Sequence, residues 1–152
     1  MIVERRTIIA AGALAVAFAC AAPAFAAEVK KEHHIAFQVS ENDPGKMNLA
    51  LNNIGNVVRD YAAKGHQVEV ELVAYGPGLH MLREDTSPVK ERLKNMKASV
   101  PDLTFTACGN TLENMEKAEG KKISIVPQAG MTPAGVVRLT ELQEQGWTYI
   151  KP

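Results

Sequence analysis

Cysteine is scarce in this chain. It has two, and one of them, Cys20, falls in an apolar N-terminal run that reads as a removable leader. Without that leader Cys108 stands alone, so an internal disulfide is excluded. The missing C-x-x-C pair also counts against a thioredoxin-like mechanism. An excess of either charge is missing too: lysine and arginine number 17, aspartate and glutamate 17. With no basic face or arginine run, nucleic acid is not an expected partner. "GPGLHML" lacks the extra glycines and the Lys-Ser/Thr pair of a phosphate loop, and "SENDPGK" has too few glycines for a dinucleotide fingerprint. No serine sits in a G-x-S-x-G elbow. No acidic cluster suggests calcium or hydrolysis, and neither a metal nor a cofactor is expected. Repeats, linkers and low-complexity segments are absent after the leader.

The N-terminus has Arg5-Arg6, then an apolar, alanine-rich run from Ile8 to Ala22, then Ala24-Phe25-Ala26. This is the order of a secretory signal peptide, with cleavage after Ala26 or Ala27. The small-residue exit and the alanine content argue against a transmembrane helix. The arginine pair suits either an ordinary or a twin-arginine signal. The expectation is residues 1–26 as signal peptide and residues 27–152 as one soluble domain, exported to a bacterial periplasm and free of the membrane after cleavage. Without Glu4, Arg5 and Arg6 the net charge is about minus one.

Strands and helices then alternate. His34 to Val39 reads as a strand. Asp43-Pro44 caps a helix whose apolar positions Met47, Ala50, Leu51, Ile54, Val57, Val58 and Tyr61 recur at helical spacing. It stops near Lys64-Gly65. Val68 to Tyr75 is a second strand, broken by "GPG" and followed by the short apolar turn Leu79 to Leu82. Ser87-Pro88 opens another helix, with Val89, Leu93 and Met96 inward. Leu103 to Ala107 is the third strand. Asn110 is the expected cap of the next helix, in a capping box with Glu113, and that helix ends near Gly120. Ile123 to Val126 reads as the fourth strand. Thr132-Pro133 opens a helix through Val136, Leu139 and Leu142 that closes at Gly146. Trp147 to Ile150 is the fifth strand. The alternation predicts an α/β fold: a single three-layer α/β/α domain around a five-stranded, mostly parallel sheet with right-handed crossovers.

Ligands of such sheets gather outside the carboxyl ends of the strands. Four loops should meet there: Ser40–Pro44, Tyr75–His80, Cys108–Thr111 and Pro127–Pro133. Cys108 is therefore on the site edge and just ahead of a helix N-terminus, where unpaired N–H groups and the helix dipole favour an anion. A thiolate is one, so the ordinary thiol pKa of about 8.5 is expected to fall. Gly109 leaves the sulfur uncovered, and Asn110 follows it. The competing reading is a small buried hydrophobe. Gly76 and Gly78 make a tight turn, one that also lets backbone approach a ligand. His80 follows them and reads either as an aid to ligand or thiol or as a surface residue. His33 and His34 are strand neighbours and point to opposite faces, so a shared metal is not expected. His66 follows a helix-ending glycine and is expected in solvent. Trp147 and Tyr149 share a face of the last strand, as core, subunit contact or stacking platform.

"HHIAFQVSENDPGKMNLALNNIGNV", "VEVELVAYGPGLHML", "FTACGNTL" and "PAGVVRLTELQEQGWTYIKP" together resemble the DsrE/DsrF-like proteins, and most of all their exported branch. The resemblance spans the whole chain after the leader. It implies a flavodoxin-like fold and a homotrimer or homohexamer. It also implies sulfur trafficking, in which one cysteine takes up sulfane sulfur as a persulfide and passes it to a partner protein. The matching position is Cys108. The chain departs from the relay members in its leader and in the Gly-Asn-Thr that follows Cys108. The activity implied is at most that of a sulfur carrier or sulfurtransferase-like protein. A non-enzymatic module binding a small ligand or a protein is the alternative, and an intermolecular disulfide through Cys108 is a third reading.

Overall fold

The computed structural model describes residues 31–152, so the signal-peptide reading of residues 1–26 lies outside the described residues. Five strands form one all-parallel sheet: β1 (Glu32–Val39), β2 (Gln67–Ala74), β3 (Leu103–Cys108), β4 (Ala129–Thr132) and β5 (Thr148–Ile150). Between them come α1 (Pro44–Ala63), a 3-10 turn (Gly76–Leu82) with α2 (Lys90–Ser99), α3 (Gly109–Glu119) and α4 (Gly135–Glu144). The fold class is the α/β class expected.

The strand order is β4-β3-β2-β1-β5, which differs from the 2-1-3-4-5 order of flavodoxin itself. The chain walks from β1 to β4 in one direction, and right-handed crossovers put the three intervening connections on one face. It then returns past the start to β5 beside β1. The same handedness sends α4 to the opposite face.

The two faces differ accordingly. Ile35, Phe37, Val70, Leu72, Leu103 and Phe105 point into the large core under α1, the 3-10 turn, α2 and α3. Helix α1 lays Met47, Ala50, Leu51 and Ile54 on it. Asp43 caps α1 as expected, accepting from the N–H groups of Gly45 and Lys46 at 2.7 and 3.1 Å. The second face holds a small cluster of Ala36, Val73, Leu139 and Leu142 under α4, with Tyr75 and Trp147 at its margin.

Four boundaries depart from the expectation. Ile123 to Val126 is not the fourth strand. The segment is tied to the chain leaving the 3-10 turn, with Glu84 N–H on Ser124 O and Val126 N–H on Leu82 O, both at 2.9 Å. Residues 129–132 pair with β3 instead. Asn110 is not the cap of α3; Cys108 is, and the capping box with Glu113 is not formed. Helix α4 starts at Gly135 rather than at Pro133, and α2 at Lys90, two residues past Pro88. Ser87 still organises that approach, donating to Met81 O and accepting from Val89 N–H.

Arg83 is 1% exposed at the exit of the 3-10 turn. Its guanidinium forks onto Asp85 and onto Glu119 at the end of α3. It thereby clamps the far end of the helix that begins at Cys108. Hydrogen bonds from Arg83 hold both carboxyls below the usual range, Glu119 at about 2. A depressed carboxyl stabilises the fold above the unfolded value of about 4 and loses that contribution as pH falls through the folded value. Thermal melts over an acid series should therefore show Tm dropping between about pH 4 and pH 2. The drop should be shallower in Glu119→Gln; an unchanged slope would contradict the clamp.

Candidate functional site

On β3 the side chains alternate. Leu103, Phe105 and Ala107 enter the large core, while Thr104, Thr106 and Cys108 point to the face of α4. Cys108 is both the last residue of β3 and the cap of α3. The helix after β3 lies on one face and the helix after neighbouring β4 on the other. This is a topological switch point, the place where α/β sheets hold ligands. The Cys108 side chain sits there, 5% exposed.

Two helix N-termini meet at its sulfur. Gly135, the first residue of α4, donates its N–H to Cys108 Sγ at 3.2 Å. Glycine suits this approach, since any side chain here would need its neighbours to give way. A Cβ on Gly135 would lie 3.2 Å from Cys108 Cβ, 3.1 Å from Tyr75 Cβ and 3.3 Å from a Val73 methyl. From α3 the Thr111 hydroxyl lies beside the sulfur. The Gly76 N–H donates to Thr111 Oγ1 at 3.0 Å, which leaves the hydroxyl proton free for another acceptor. Burial pushes the Cys108 thiol up. The Thr111 hydroxyl, then the N–H groups of Gly135, Thr111 and Asn110, outweigh that, and the thiol lies below its ordinary value. These groups are donors, not bases: they stabilise the thiolate once formed.

The residues singled out in the sequence have distinct positions. Gly76, at φ +52°, makes the turn that delivers its N–H to Thr111. Gly78 serves a close approach to the chain itself, since a Cβ there would lie 2.3 Å from Val39 O. A Cβ on Gly109 would lie 3.2 Å from Thr132 O and 3.4 Å from Pro133 O. The Asn110 N–H donates to Pro133 O at 3.0 Å, joining the start of α3 to the turn before α4. His80 is half-buried and bonded through Nδ1 to Thr86 Oγ1 at 2.8 Å. It shares a groove of about 430 Å³ with Asn42, Gly76, Thr111 and Met115. Thr111 thus belongs to both the groove and the thiol's surroundings. With β4 at residues 129–132, Pro127 and Gln128 leave the site edge for the opposite end of the sheet.

His33 and His34 do diverge. His34 bonds Glu69 at 3.0 Å and lies against Trp147. His33 stacks on Tyr61 and bonds His66 at 3.0 Å, so His66 is half-buried rather than in solvent. Among the described residues no group of three or more histidine, cysteine or acidic side chains comes together as a metal site, and no helix is long and apolar enough to cross a membrane. Tyr149 donates to Gln38 Oε1 at 2.5 Å, and Trp147 packs beside the small cluster.

Thr111 and Gly135 escaped the sequence reading as site residues. A threonine three positions after a helix-capping cysteine was a local signal for the first. Gly135 is 27 residues from Cys108, and only the topology brings them together.

Residues 11–152 match the model of the DsrE/DsrF-like family, and the chain belongs to that family. A protein of unknown function from Methanobacterium thermoautotrophicum has a similar structure, with a TM-score of 0.65 and 27% identity over 79% of this chain and 99% of its own. No match is found among curated proteins.

Loss of a donor should raise the thiol pKa. Thr111→Val and Gly135→Ala should each slow alkylation of Cys108 by iodoacetamide severalfold at neutral pH and move the midpoint of its pH profile upward, with rates converging in alkali. A midpoint that stays in place in both variants would show that these donors do not set the acidity.

Proposed function

We propose that this protein carries sulfur as a persulfide on Cys108. The carrying observation is the Gly135 N–H held on a buried sulfur at a topological switch point, with the Thr111 hydroxyl beside it. Those donors suit a thiolate and equally the terminal sulfur of a persulfide, which is also an anion. Membership of the DsrE/DsrF-like family, which is linked to sulfur relay, supports the reading. In the loading step the Cys108 thiolate attacks the sulfane sulfur of a donor such as thiosulfate. A new S–S bond forms on Cys108, the old one breaks, and sulfite leaves with its electron pair. A partner thiolate then attacks the outer sulfur, takes it, and returns Cys108 as thiolate.

The same proposal makes the protein exported and periplasmic. Its support is the Arg5-Arg6 pair, the apolar run and Ala24-Phe25-Ala26. It also makes the protein its own partner, as a homotrimer or homohexamer. One helix covers the second face, and Val136 and Val137 on it are 60% and 51% exposed, apolar surface that a second copy would cover. The alternative of a non-enzymatic binding module is favoured by the near-complete burial of Cys108.

Purified protein incubated with thiosulfate or polysulfide should gain the mass of one sulfur, released by reducing agent, and Cys108→Ser should gain none. No gain on the unmutated chain, or equal gain on the variant, removes the carrier reading and leaves the binding module. Sedimentation at micromolar concentration should show an assembly; monomer alone would contradict self-association.

A further inference from the structure

Glu71 stands in the middle of β2 on the face that α4 covers, 5% exposed. Its Oε1 accepts from Thr106 Oγ1 at 2.7 Å and from Arg138 Nε at 3.0 Å; its Oε2 accepts from Arg138 Nη2 at 2.7 Å. A carboxylate so buried is costly unless it is paired and fully bonded. Apolar residues of like size often serve stability as well as such a group, so stability alone gives no reason for it. Its place in the fold does.

Thr106 lies two residues before Cys108 on the same face of β3. Arg138 lies three residues after Gly135, about one turn along α4. One carboxylate is therefore bonded to the strand that ends in the sulfur and to the helix whose first N–H meets that sulfur. The start of α4 is also tied by the Asn110 N–H on Pro133 O and by the packing of Gly135, and Glu71 adds a side-chain link one turn along. The buried leucines of α4, Leu139 and Leu142, lie beyond Arg138, and Val136 and Val137 before it face outward. Glu141 stands 3.9 Å from Arg138 at the surface, where an ion pair adds little.

The geometry points to Glu71 as a positioning residue that binds β3 to α4 and so keeps the Gly135 N–H on the Cys108 sulfur. This goes beyond the persulfide reading, because it concerns the ionisation of the thiol whatever that thiol reacts with.

The test is the pH profile of Cys108 alkylation by iodoacetamide, followed by intact mass, in Glu71→Gln, Arg138→Met, their double variant and Thr106→Val. The plateau reports access and the midpoint reports ionisation. Positioning moves the midpoint upward in all of them, with a severalfold lower rate at neutral pH, and the double variant shifts no further than the stronger single. A direct effect of charge predicts otherwise: removing the anion lowers the midpoint, removing the cation raises it, and neutral Thr106→Val leaves it alone. Opposite shifts in the two charge variants would overturn the proposal, as would unmoved midpoints in folded protein. Should the charge variants fail to fold by circular dichroism, Thr106→Val decides alone, because it keeps a β-branched residue in the strand and removes one bond to Glu71. A Cys108 that fails to take up sulfur leaves this result untouched, so the two proposals fail separately.

Discussion

The handedness of the crossovers governs this structure. Three connections made in one direction across the sheet must lie on one face, and the single reversal to β5 must lie on the other. That constraint gives the first face a thick core and the second a single helix. It also separates the helices after β3 and β4, so that two N-termini flank the last side chain of β3. The surroundings of Cys108 are thus a product of topology before they are a product of particular side chains.

The side chains then fit that geometry. Glycine at 135 brings a backbone N–H to 3.2 Å from sulfur where any Cβ would crowd Tyr75 and Val73. Glycine at 76 turns the end of β2 so that its N–H reaches the Thr111 oxygen and leaves the hydroxyl proton free. The Arg83 clamp fixes the opposite end of α3. The Gly135 N–H on the sulfur favours its charged form, and His80 is bonded to Thr86 instead. Such a site lowers the cost of a negative sulfur without supplying a base.

Much of the fold was legible in the sequence. Strands β1 to β3 carry β-branched and aromatic residues at the expected period, and α1 carries a cap, a proline and an apolar stripe that agree with one another. The fourth strand was not legible. Ile123 to Val126 has the composition of a strand and is partly buried, but its partners are Leu82 and Glu84. Ala129 to Thr132 has weak strand composition and is drawn into the sheet by pairing with β3, a case of context overriding propensity. Of the site, Cys108 and Gly76 could be placed from strand order and turn chemistry. The contacts that join separate elements there span 23 to 67 positions, Asn110 to Pro133 and Glu71 to Arg138 among them. Local patterns do not encode such distances.

The order of the chain gives the second helix N-terminus one more consequence. Helix α4 and β5 follow β4 in the chain, and α4 covers the second face of the sheet. Loosening α4 from the sheet would remove both the Gly135 donor and the helix that covers the sulfur. Access to the thiol and its acidity are therefore coupled: the opening that would admit a reagent would also return the thiol toward its ordinary acidity.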